Sequence, residues 1–108
     1  MTRNAKAGKP FFAYVPITQP HFPTESSKKF AGTTGHGPFA DMLAEMDDNV
    51  GRIVDAVSAL KIQNDTIFSF TSDNGPEETM PWHGWAGSWT GTYVTAIEGS
   101  LRVPFIIR

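Results

Sequence analysis

The sequence predicts an α/β fold with a βαβ unit and a long loop rich in glycine and tryptophan. Three stretches carry that prediction. Phe11-Phe-Ala-Tyr-Val-Pro-Ile17 is almost continuously apolar, which suits a strand buried on both faces in a parallel sheet. Pro38 to Leu60 repeats apolar residues at spacings of three and four, as one stripe of a helix does. Thr66-Ile-Phe-Ser-Phe-Thr71 is β-branched and aromatic, the composition of a second strand. Strand, helix and strand in that order make a βαβ unit with a right-handed crossover.

The elements follow in chain order. Met1 to Ala7 is polar and helix-tolerant, and Gly8 with Lys9-Pro10 reads as a helix C-cap with proline just beyond. A stretch this short does not hold a helix alone, so it reads as the tail of a longer helix and the chain as an internal piece. Pro16 ends regular pairing in the first strand. Thr18-Gln-Pro-His21-Phe-Pro23 then holds one histidine between prolines, after that strand's carboxyl end. A lone histidine serves either a structural or a functional role. Residues 24–37 read as a loop with a turn at Ser27-Lys-Lys-Phe30 and a solvated His36. In the helix, Gly37 and Pro38 suit the Ncap and N1 positions. Phe39, Met42, Leu43, Met46, Val50, Ile53, Val54, Val57 and Leu60 form its apolar stripe, and Asp41, Glu45, Asp47, Asp48 and Asp55 are expected on its solvated face. Lys61 to Asp65 is the turn into the second strand.

Asp73-Asn74-Gly75-Pro76 follows that strand without a spacer. Gly75 and Pro76 break the strand, so Asp73 and Asn74 sit at its carboxyl end, where open α/β sheets keep their ligand sites. A carboxylate beside an amide carbonyl is a hard oxygen pair suited to Ca²⁺ or Mg²⁺; the same four residues are also ordinary turn chemistry. From Gly75 to Leu101 the chain mixes glycines with Trp82, Trp85 and Trp89. A loop that long is a functional loop or a disordered one, and the tryptophans argue for packing against a planar ligand or over the sheet. Glu98 and Arg102 are placed to pair with each other, and Val103-Pro-Phe-Ile-Ile-Arg108 reads as the last strand.

Composition narrows the function classes. With 108 residues and 40% hydrophobic content, the chain suits one small domain with a modest core. A net charge of −2 and no basic run give no general attraction for nucleic acid or an anionic membrane. Cysteine is absent, which excludes disulfides, thiolate metal sites and a cysteine nucleophile within these residues. No apolar run approaches the roughly 20 residues of a membrane span.

Four stretches together resemble the middle of a sulfatase, in the arylsulfatase branch of the alkaline-phosphatase-like superfamily. They are Lys9-Pro-Phe-Phe-Ala-Tyr-Val-Pro with Pro-His21-Phe-Pro, the helix Met42-Leu-Ala-Glu-Met-Asp-Asp-Asn-Val-Gly-Arg-Ile, Thr71-Ser-Asp-Asn-Gly-Pro76, and Glu98-Gly-Ser-Leu-Arg-Val-Pro104. The resemblance covers nearly the whole chain and implies that residues 1–108 are an internal fragment of a sulfatase catalytic domain, with no second domain and a partial sulfatase-like sheet. It implies a sulfuric ester hydrolase acting on a small-molecule sulfate ester, with Ca²⁺ or alternatively Mg²⁺ and a formylglycine nucleophile made from a C/S-x-P-x-R motif. Asp73 and Asn74 match the family's metal-binding pair. His21 matches its histidine that contacts the sulfate and supplies a proton. The family's lysine five residues before Glu-Gly is replaced here by Tyr93, which can donate a hydrogen bond but carries no positive charge. Another cation, such as Arg102 or one outside these residues, is the alternative to weaker sulfate binding. The C/S-x-P-x-R motif and the earlier aspartates are absent, so the remainder of a sulfatase chain is an expected partner in completing the fold.

Two other readings stand beside this one. A phosphoesterase or phosphonate-ester hydrolase of the same superfamily uses a similar metal site with a different nucleophile. A non-catalytic domain would use the tryptophan loop to bind a carbohydrate or an aromatic group. Because a metal site without its attacking group is half a site, the 108 residues alone should not turn over an aryl sulfate; turnover by the purified chain above a metal-only control would contradict this.

Overall fold

The computed structural model describes residues 1–78 and 84–108. Helix α1 spans Thr2–Lys6 and ends as expected. Gly8 takes a φ of +63°, its N–H reaches Ala5 O, and Lys9 N–H reaches Asn4 O at 2.9 Å. These two bonds close the last turn as a Schellman motif, for which glycine is the favoured residue. Helix α2 spans Pro38–Ala59, with Gly37 as N-cap and Pro38 in the first turn. It matches the expected stripe in position and length. A short 3₁₀ turn, Gln63–Asp65, leads out of it.

The sheet differs from expectation. Strand β1, Ser69–Thr71, pairs antiparallel with β2, Phe105–Ile107, placing Ser69 opposite Ile107 and Thr71 opposite Phe105. Reciprocal bonds between Phe68 and Arg108, at 3.0 and 2.9 Å, extend the pairing by one residue pair. Residues 11–17 form no strand, so the described residues contain no βαβ unit. A strand is defined by a neighbour that accepts its N–H groups. Among the described residues, 11–17 have no such neighbour, and Pro10 and Pro16 offer no N–H at all. Phe12 and Tyr14 stand 92% and 81% exposed. The apolar content read from the sequence is real, but it lies on open surface here.

Little apolar surface is buried. Met42 and Val57, both on α2, are the buried hydrophobic side chains among the described residues. The radius of gyration is 16.3 Å, against about 13 Å for a compact domain of this length.

The acidic face of α2 is a second correction. Asp41 was expected in solvent and is buried. Its carboxylate accepts the Gly32 N–H at 2.7 Å, the Thr34 N–H at 3.0 Å and the Thr34 hydroxyl at 2.6 Å. One turn on, Glu45 accepts the Ser27 N–H at 2.8 Å, and Asp48 pairs with Lys29 at 3.2 Å. The sequence at 27–34 contains no regular element, so its backbone donors need acceptors from elsewhere. Asp41 and Glu45 supply them, and Asp48, on the same helix face, takes the Lys29 ammonium. The Thr34 hydroxyl, then the Thr34 and Gly32 amides, hold the Asp41 carboxyl below its ordinary range against the opposing push of burial. Glu45 is lowered first by the Ser27 amide.

A carboxyl lowered on folding stabilises the fold above its unfolded pKa, and that contribution disappears as pH falls through the folded pKa. Asp41→Asn should therefore lower the thermal unfolding midpoint at neutral pH. The gap to wild type should close as pH drops below the unfolded carboxylate value of about 3.9. A gap that is constant from neutral to strongly acidic pH would contradict the assignment.

Candidate functional site

Asp73 and Asn74 lie one residue beyond β1, in the bend that follows Ser72. Asp73 is exposed and Asn74 half-buried. The Asn74 Nδ2 donates to Gly75 O at 2.9 Å. That bond fixes the amide orientation and leaves Oδ1 as the end suited to a cation. The Ser72 hydroxyl donates to Asn74 O at 2.9 Å and tightens the bend from the other side.

The next residues lock this bend to the end of the long loop. Gly75 N–H donates to Ser100 O at 2.8 Å, Gly99 N–H to Thr90 O at 2.8 Å, and Tyr93 N–H to Pro76 O at 2.9 Å. The packing admits no side chain at two of these positions. A Cβ on Gly75 would lie 1.9 Å from Gly99 O, and one on Gly99 would lie 2.2 Å from Gly91 O. Real Cβ atoms do not come that close, so glycine is required for contact and not for a special φ. Helix α3, Glu98–Leu101, carries Gly99 and Ser100 into this contact, and both are buried.

His21 reaches the same segment by a separate route. Its ring Nδ1 lies 2.5 Å from Phe22 O. A carbonyl only accepts, so Nδ1 bears the proton in that bond. The ring's Nε2 lies 3.5 Å from Glu77 Oε1, and Glu77 Oε2 accepts the Phe22 N–H at 3.2 Å. Glu77 thus joins the histidine loop to the segment that holds Asp73 and Asn74. The sequence reading missed Glu77; Phe22 lies 55 residues away, and no spacing rule pairs residues so far apart.

Tyr93 is exposed, with its backbone anchored to Pro76. Arg102, the alternative to the missing lysine within this chain, pairs with Glu98 as expected and stacks over Trp89 at 4.6 Å. Both contacts hold its charge to α3 and the loop. Trp85 is 87% exposed, and Trp82 lies outside the described residues. Among the described residues, no group of three or more His, Asp or Glu side chains is placed to hold a metal. Asp73 and Asn74 are chemically suited to a hard cation, and two side chains are a minority of the roughly 6–8 oxygens that Ca²⁺ takes.

The sulfatase family model matches residues 2–108. The chain belongs to the sulfatase family. Arylsulfatase A of Bos taurus is 39% identical to it over 105 residues, covering 96% of this chain and 21% of that protein. N-acetylgalactosamine-6-O-sulfatase of Bacteroides thetaiotaomicron is 33% identical over 110 residues, covering 93% of this chain and 22% of its own. N-acetylgalactosamine-6-sulfatase of Sus scrofa is 40% identical over 99 residues, covering 90% and 19%. This sulfatase chain spans about a fifth of the length of the curated relatives it matches.

Within it, Gly75 is the position least able to accept a side chain, because the facing atom is backbone. Gly75→Ala should destabilise the full-length protein by roughly 1–3 kcal/mol or more, as overpacking does. An unchanged unfolding midpoint would show that the glycine contact is not closed in solution.

Proposed function

We propose that this chain is part of a sulfuric ester hydrolase and supplies a metal-ligand pair, a sulfate-contacting histidine and a hydrogen-bond donor to its active site. The observation that carries the reading is the convergence on residues 73–77. Asp73 and Asn74 lie in that segment, Tyr93 is bonded to Pro76, and His21 faces Glu77. Residues far apart in sequence thus meet around one bend; Asp73, Asn74 and His21 match the family pattern, and Tyr93 stands where that pattern has a lysine. The relatives carry names for aryl and N-acetylgalactosamine sulfatases; the chemistry they share is a sulfate ester, which is the substrate class proposed here.

The Asp73 carboxylate and Asn74 Oδ1 would hold a Ca²⁺ ion, or Mg²⁺, together with ligands from elsewhere in the protein. When bound, such a cation neutralises charge on the sulfuryl oxygens. Asn74 is oriented for this by the bond from its Nδ2 to Gly75 O. His21 contacts the sulfate and is not a metal ligand, because Ca²⁺ prefers oxygen to imidazole nitrogen. Its Nδ1–H is engaged by Phe22 O, so in the doubly protonated ring the Nε2–H meets the substrate and passes its proton to the departing alcohol, leaving the neutral ring with its proton on Nδ1. The Tyr93 phenol donates one hydrogen bond to the sulfate group where the family has a lysine. The attacking group, a formylglycine in this reading, comes from outside residues 1–108.

In the full-length protein, Asp73→Ala should remove bound metal and sulfatase activity together. His21→Ala should lower kcat by roughly 10²–10⁴-fold, the usual contribution of a general acid, with metal content unchanged. Metal analysis beside aryl sulfate kinetics separates the two roles. Loss of metal from the His21 variant would overturn them, and full activity in the Asp73 variant would overturn the metal assignment.

A further inference from the structure

The Glu77 carboxylate does something that the proposed site does not itself require. Its two oxygens address two consecutive groups of the histidine loop: Oε2 takes the Phe22 N–H at 3.2 Å, and Oε1 faces His21 Nε2 at 3.5 Å. The glutamate side chain is 22% exposed and the histidine 68%. The carboxylate is therefore the better-shielded partner, and the ring is the one in contact with solvent. Both backbones are stiffened at these points, by Pro76 on one side and by Pro20 and Pro23 on the other. A carboxylate that grips a backbone amide and the adjacent ring fixes where that ring sits, since a single contact would leave the loop free to pivot.

We infer that Glu77 is the positioning residue for His21, holding Nε2 in register with the ester bound beside Asp73 and Asn74. The inference rests on the sulfatase reading above. Glu77 is assigned neither as a metal ligand nor as a proton donor to substrate. Its effect reaches the reaction through the histidine. His21 Nδ1 is already committed to Phe22 O, so the ring has one nitrogen left for substrate; Glu77 Oε1 stands 3.5 Å from it, close enough to orient the ring by charge and too far to take up its N–H in a hydrogen bond. Misplacing a catalytic group by about 1 Å costs on the order of 100-fold.

A positioning role has a signature that general destabilisation lacks. Proton delivery matters most for esters whose alcohol leaves poorly, and least for an activated leaving group. The test compares wild type, Glu77→Gln and Glu77→Asp in the full-length protein on 4-nitrophenyl sulfate and on an unactivated phenyl sulfate. Glu77→Gln keeps an oxygen for the Phe22 amide and loses the charge facing His21, so it separates loop anchoring from ring positioning. The expected result is a kcat lower by roughly 10- to 100-fold on the unactivated ester, a clearly smaller loss on the activated one, and unchanged KM and metal content. Glu77→Asp, with a shorter carboxylate, should fall between Gln and wild type. Equal losses on both esters, no loss, or lost metal would overturn the positioning role while the sulfatase reading stands. A wild-type protein that turns over neither ester overturns that reading, and this inference with it.

Discussion

The close approach of Gly75 to Gly99 is the contact on which the rest of the site depends. A main-chain carbonyl occupies the space where any other residue at position 75 would place its Cβ. The Gly75 N–H bond to Ser100 O and the Tyr93 N–H bond to Pro76 O run through the same stack of backbone. Buried backbone donors need partners, and here each segment supplies them to the next. The bend after β1 is consequently held against α3 and residues 90–93, and Asp73 and Asn74 inherit a fixed place from it. Main chain packed on main chain leaves no side-chain rotamers to adjust, so the position is stiff.

The irregular segment between residues 18 and 34 is held by carboxylates. Asp41 and Glu45 accept its backbone amides from α2, and Glu77 accepts that of Phe22. Charge-assisted bonds of this kind are the stronger class of hydrogen bond. They do for a loop what a ladder does for a strand. The histidine at position 21 lies in this segment, so its location is set by residues that are acidic and by position unrelated to it in sequence. Phe12, Tyr14 and Ile67 meanwhile remain largely exposed. That is more open apolar surface than a compact domain leaves in long runs, and it accords with a chain that spans about a fifth of its relatives' length.

The sequence by itself determined the local features. The stripe from Phe39 to Leu60 fixed α2 almost to the residue because helix periodicity is written in neighbours three and four apart. Gly8, Gly37 and Pro38 marked helix ends by their own backbone limits. Asp73-Asn74-Gly75-Pro76 marked a strand's end, and the order of four motifs pointed to the family. Only the tertiary structure decided what pairs with what. The run at 11–17 was apolar enough for a buried strand, yet a strand needs a partner that its own residues cannot name, and β1 found that partner in β2 instead. Asp41 looked like surface because a charge on a helix usually is. Its burial depends on three donors from residues 32 and 34, whose hydrogen bonds outweigh the penalty of burying the charge. Glu77 joins His21 across a separation that no local pattern spans. Periodicity and turn chemistry act over a few residues, whereas contacts such as these exist only once the chain has folded back on itself.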